Sequence, residues 1–291
     1  MRITKIISFL FLVALTASCS SSDSGGSSSG NSFTYNKSGS NVPITIIQAQ
    51  MSESQIVVSG TASDGRSIQF EFDKFGNLGT VLQTPSDSSS EEWHYNYQNF
   101  SGHYFTFNMI SYNESTHRVK VTYSGTLYEE AYNSTSPSIE VSGEFDVVCT
   151  VQTPIIPGLD VRCKIGGFNW YSTNSYTNNG NTSDDFILRE LSDDENMISL
   201  GFDSTNNGPS TYNFTASTPT NFAHLSKFDT TTLDYVDYNC VGSVIVTSKT
   251  SLGIGLGYLI EGTYSFTATN PSNPSDQIQV TEGYFKTNYL W

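Results

Sequence analysis

LIEGTYSFTA at residues 259–268, a Pro/Asn/Ser turn, and DQIQVTEGYF at 276–285 read together as a β-hairpin that closes the chain. The apolar positions recur at every second residue, as they do in a strand with one face in a core. A second, more diverged copy stands in the middle of the sequence: IEVSGEFDVV at 139–148, followed by VRCKIGGF at 161–168. Gly143 answers Gly262, and Gly166 and Phe168 answer Gly283 and Phe285. A chain that repeats its closing hairpin reads as two copies of one unit.

Further blocks recur in the same order. Ile68, Phe70 and Phe72 alternate through SIQFEFD and are answered by Ile198, Leu200 and Phe202, with Asp203 answering Asp73. RVKVT at 118–122 is answered by SVIVT at 243–247. The spacing between matched blocks drifts, as loop-length changes between diverged copies would make it do. Asp64-Gly65 and the Asp193-Asp194-Glu195-Asn196 run supply turns. No stretch carries a sustained helical period. The expected fold is all-β with almost no helix: two tandem antiparallel β-barrel or β-sandwich domains at 42–168 and 169–291. Burial is expected for Phe70, Phe72, Phe145 and Phe168 in the first domain. In the second it is expected for Leu200, Phe202, Tyr264, Phe266 and Phe285.

The start of the chain is of a different kind. Arg2 and Lys5 precede an apolar run at 6–15, so residues 1–18 read as an export signal too short to span a bilayer. Leu15-Thr16-Ala17-Ser18-Cys19 resembles a bacterial lipobox, which makes Cys19 the expected lipid-attachment residue. The Ser/Gly-rich stretch that follows reads as a tether over 19–41 with nothing to bury. Gly26-Ser27-Ser28-Ser29-Gly30 matches G-x-S-x-G, but it lacks the strand and helix that a nucleophile elbow requires. The expected location is the outer membrane, lipid-anchored, facing either the periplasm or the cell surface.

The formal charge is −15, and removing 1–18 takes away two cations and no acid. Such a chain repels polyanions, which argues against nucleic acid as a partner. Export permits disulfides. Cys149 and Cys163 share the parity of their apolar neighbours and fall on strands that the repeat pairs with each other. They are expected either as a cross-strand bridge or as two buried thiols. The cysteine spacing matches no zinc site.

No catalytic constellation or metal site is expected. The four histidines form no metal-binding or triad pattern, and the adjacent acids at 91–92, 129–130, 184–185 and 193–194 would point to opposite strand faces or lie in solvated turns. Oxygen ligands for Ca²⁺ from the turns at 193–196 and 203–207 do not follow the EF-hand spacing. The best binding candidate is Trp93, Tyr95 and Tyr97, which would share one face of a strand opposite His94, Asn96 and Gln98. Such rings either stack on a sugar or fill the first core.

Gly262-Thr263-Tyr264-Ser265-Phe266 with Thr281-Glu282-Gly283-Tyr284-Phe285 resembles the closing signature of a family of Bacteroidota lipoprotein domains that have no assigned activity. The resemblance covers 169–291 well and the first copy weakly. It implies an all-β, calycin-like protein, and it supplies no catalytic residue and no cofactor. Three functions are expected in decreasing order. The first is a non-enzymatic binding or structural lipoprotein with the membrane and a carbohydrate or protein as partners. The second is a glycan-binding accessory lipoprotein using Trp93, Tyr95 and Tyr97, and the third is a hydrolase.

Overall fold

In the first half, alternation builds a meander. Ile44–Ser52, Gln55–Ala62, Ser67–Asp73 and Leu78–Thr84 pair in sequence. Their buried residues, Ile56, Val58, Ile68, Phe70, Phe72 and Val81, all face one core. The structure is a computed structural model that describes residues 30–86, 92–175, 178–179, 185–203, 209–215, 221–253 and 257–289. The export signal, Cys19 and the Ser/Gly tract up to residue 29 lie outside the described residues.

The first lobe is an eleven-stranded sheet. His94–Tyr95 joins the meander to Arg118–Tyr128, which is flanked by Phe105–Asn113 and Ser138–Val148. The sheet curls until its two halves face each other: the Phe70 ring lies 4.4 Å from Tyr123 and 5.4 Å from Phe145. The second lobe has two six-stranded sheets. One contains Asp160–Ile165, Asn239–Gly253, Gly257–Asn270 and Asn273–Tyr289; the other contains Asp185–Leu191, Asn196–Asp203 and Phe222–Asp229. Phe186, Leu200, Phe202, Tyr264, Phe266 and Phe285 fill the space between them. The fold is all-β and sandwich-like, and no sheet closes into a barrel. Ser101–Tyr104, one turn long, is the helix among the described residues.

The buried residues fall into two main cores, one in each half of the chain, but the expected boundaries and the matched hairpins need correction. The first lobe opens at Ser32, inside the expected tether: Ser32–Lys37 pairs with Ser138–Val148 and buries Phe33 and Tyr35. At the other end, Asp160–Ile165 does not pair with Ser138–Val148. It pairs with Asn273–Tyr289 and, through Gly166 and Gly167, with Phe168–Tyr171. The segment expected to close the first domain therefore opens the second lobe. Phe168, expected to be buried, is 81% exposed.

With this pairing the internal repeat is sharper than the sequence suggests. Ser32–Lys37 turns through Ser38 and Gly39 into Ser40–Asn41, as Asp160–Ile165 turns through Gly166 and Gly167 into Phe168–Tyr171. All four turn residues have positive φ, at 49°, 78°, 58° and 89° in chain order. That is the type I′ geometry of two-residue hairpins, which favours glycine. Asp64 accepts a bond from the Arg66 amide at 3.2 Å, and Asp194 accepts one from the Asn196 amide at 2.9 Å. The closing hairpin at 257–289 thus corresponds to 118–148 rather than to 139–168.

Candidate binding sites on and between the lobes

Residues 31–291 form one compact unit, and the two lobes meet in a polar and aromatic seam. Asp193, in the turn that precedes Asn196–Asp203, reaches into the first lobe. Its carboxylate accepts from the Leu78 amide at 3.3 Å, and its carbonyl accepts from the Gly102 amide at 2.8 Å. Thr173 donates to the Leu78 carbonyl at 3.2 Å, and Asn174 donates to Gln98. Two glycines allow this approach: a Cβ on Gly79 would stand 2.8 Å from the Thr173 carbonyl oxygen, and one on Gly102 would stand 2.6 Å from that of Asp193.

The expected aromatic platform is taken apart by this seam. His94–Tyr95 is only two residues long, and the chain then leaves the sheet. Asn96 turns inward, accepting from the Val81 amide at 2.8 Å and donating to the Gly79 carbonyl at 3.0 Å. Asn96 and Gln98, expected on the face opposite the aromatic rings, are buried, and so is Tyr97. Tyr97 is 3% exposed and packs with Tyr128 and with Phe228 of the second lobe, the latter at 5.7 Å edge-on. Trp93 is 51% exposed. The three side chains therefore do not present one face. The alternation was real in the sequence, but the backbone that would express it is not a strand beyond Tyr95.

The cysteine expectation resolves toward thiols. Cys149 belongs to the first core and Cys163 to the second, and both are free and buried, as is Cys240. Burial pushes the thiols up to about 11 for Cys149, about 12 for Cys163 and about 11 for Cys240. The proposed bridge required a strand pair that does not form.

The acidic turn at 193–196 does not converge on a common point. Asp193 is bonded into the seam, while Asp194 accepts from Trp170 Nε1 at 3.3 Å and from Asn196 Nδ2 at 2.7 Å. Burial pushes Asp193 up to about 6 and raises Asp194 and Asp73 as well. Residues 204–208 of the partner turn lie outside the described residues. Among the described residues no group of three or more His, Cys, Asp or Glu side chains could hold a metal ion.

Two of the open depressions among the described residues bear on binding. One, of about 410 Å³, lies on the first lobe and is lined by His103, Tyr104, Ser124, Thr126, Glu140 and Ser142. The other, of about 370 Å³, lies on the second lobe between Phe168, Trp170, Asp194, Asn196, Lys227 and Ile278. Lys227 is paired with Glu195 at 3.0 Å. The second depression was not anticipated from the sequence. Its signal was the Gly166-Gly167 dipeptide between two alternating runs, which marks a two-residue hairpin and puts Phe168 at the start of a new strand.

Comparison of the chain with protein-family models, with curated proteins and with solved structures finds no match.

Proposed function

We propose that the protein is an outer-membrane-anchored lipoprotein whose β body serves as a non-enzymatic recognition module. The observation that carries this reading is the seam. Backbone, amide and carboxylate groups of both lobes are bonded to one another there, and Tyr97 and Phe228 lock the contact from inside. A joint of this kind favours one rigid body that displays its surface over a cleft that opens and closes. The anchor rests on the lipobox-like residues before Cys19 and on the resemblance of the closing hairpin to envelope lipoprotein domains.

Metabolic labelling with a palmitate analogue, followed by membrane fractionation, tests the anchor. Wild-type protein should carry label and sediment with outer membranes. Cys19→Ser should lose the label and become soluble. Unlabelled wild-type protein, or a Cys19→Ser protein that still sediments, would refute the reading.

A further inference from the structure

The two copies share a scaffold, so each controls for what the other needs in order to fold. In the opening hairpins, Lys37 faces Ser40 and Ile165 faces Phe168 across equivalent turns. Two residues further from the turn, Val42 bonds back to Tyr35 where Trp170 pairs with Cys163. The scaffold thus accommodates Ser40 and Val42 at the places where the second copy has Phe168 and Trp170. The fold does not require an aromatic ring at 168. A ring left 81% exposed there gains little from burial.

Trp170 is buried, and its indole N–H holds the Asp194 carboxylate, which in turn holds the Asn196 amide. In the first copy the corresponding turn is closed by Asp64 and Arg66, joined by a salt bridge at 2.6 Å. The second copy therefore has an exposed ring at 168, a buried ring two residues further on, and a carboxylate that accepts from the Trp170 indole and the Asn196 amide. Lys227 stands at the same depression with its charge balanced by Glu195.

We infer that this depression binds a neutral saccharide, with Phe168 as the stacking surface. The inference rests on the reading of the protein as a recognition module and names its ligand class. A sugar ring has an apolar C–H face that fits an exposed aromatic ring. Its hydroxyls both donate and accept, which suits a lining of carboxylate, amide and ammonium groups. The pairing of Lys227 with Glu195 offsets the cation, so the site has no strong call on an anion. The volume of about 370 Å³ is at the small end for ligand sites, enough for a short saccharide segment.

The test is affinity electrophoresis and titration calorimetry of the mature protein against maltoheptaose, cellohexaose, xylohexaose and mannohexaose and their parent polysaccharides. Binding to at least one is expected, and Phe168→Ala should weaken it about tenfold or more, a loss of about 1.4 kcal/mol. Because Phe168 is exposed, its melting temperature should match wild type, which separates lost binding from lost folding. Trp93→Ala should bind as wild type does. Absence of binding to every probe, binding unchanged by Phe168→Ala, or selective binding of a poly-arginine peptide would overturn the inference. Membrane anchoring, read from Cys19→Ser, is independent of these outcomes, so the two readings fail separately.

Discussion

The Tyr123 hydroxyl donates to the backbone carbonyl of Thr34 at 2.9 Å, tying Arg118–Tyr128 to Ser32–Lys37, the first strand of its lobe. The second lobe repeats the bond, from Tyr264 to the carbonyl of Arg162 at 3.2 Å. Both tyrosines are buried, and burial raises both phenols, Tyr264 well above its ordinary value. Each hydroxyl thus remains a neutral donor across the accessible pH range. Each ties the opening strand of its copy to the body, a nonlocal contact made twice in the same way.

Tyr123→Phe and Tyr264→Phe should each destabilise the protein by about 1–2 kcal/mol, since each leaves a carbonyl without its side-chain donor. Urea unfolding of the two variants should show losses of similar size with unchanged m-values. A large loss for one and none for the other would mean that the two bonds are not equivalent.

Stability should rise on mild acidification. The folded-state pKa of Asp193 is about 6 against an ordinary value of 3.8. The folded protein therefore binds the additional proton, and stability increases as the pH falls from about 7 through 6 toward 4. The raised Asp194, Asp73 and Glu71 act in the same direction. Below about pH 4 the exposed Asp64, held low by Arg66, and Asp276, held low by Asn270 and Tyr238, act the other way. Asp193→Asn should flatten the rise between pH 7 and 5 in thermal melts; an unchanged profile would remove Asp193 as its source.

Truncating Phe202 or Phe266 to Ala should cost about 3–5 kcal/mol, because both rings are buried between the sheets of the second lobe. Phe168→Ala should cost less than about 0.5 kcal/mol. Chemical denaturation of the three variants separates a core position from a surface one with the same residue type.

Gly102→Ala should weaken the seam by about 1–3 kcal/mol, since the added methyl meets the Asp193 carbonyl. Hydrogen exchange should increase at the Leu78 and Gly102 amides while the centres of both cores stay protected. Uniform loss of protection would indicate that the lobes unfold as one.

The three buried thiols should be unreactive toward iodoacetamide at pH 8 in the folded protein and should all react after denaturation, because burial keeps them protonated. A Cys149–Cys163 disulfide in the native protein would contradict the structure.

The sequence by itself determined the all-β class and which side of a strand faces in. Ile68, Phe70 and Phe72, and likewise Tyr264 and Phe266, are buried where their alternation says. That information is local, because side chains alternate along any strand whatever its partner. Ser32–Lys37 also alternates, with Phe33 and Tyr35, but its Ser/Gly-rich surroundings hid it. Partner choice was decided only by the tertiary structure. Whether Asp160–Ile165 pairs with Ser138–Val148 or with Asn273–Tyr289 depends on contacts far apart in the chain, and nothing near Cys163 encodes them. Two fates followed from that choice and from the docking of the lobes. Tyr97, expected either on a platform or in the first core, lies in the seam, and Phe168 went from a core into solvent beside Asp194 and Lys227. Burial of a side chain is settled by what packs over it, and for these two residues the covering or uncovering element comes from another part of the fold.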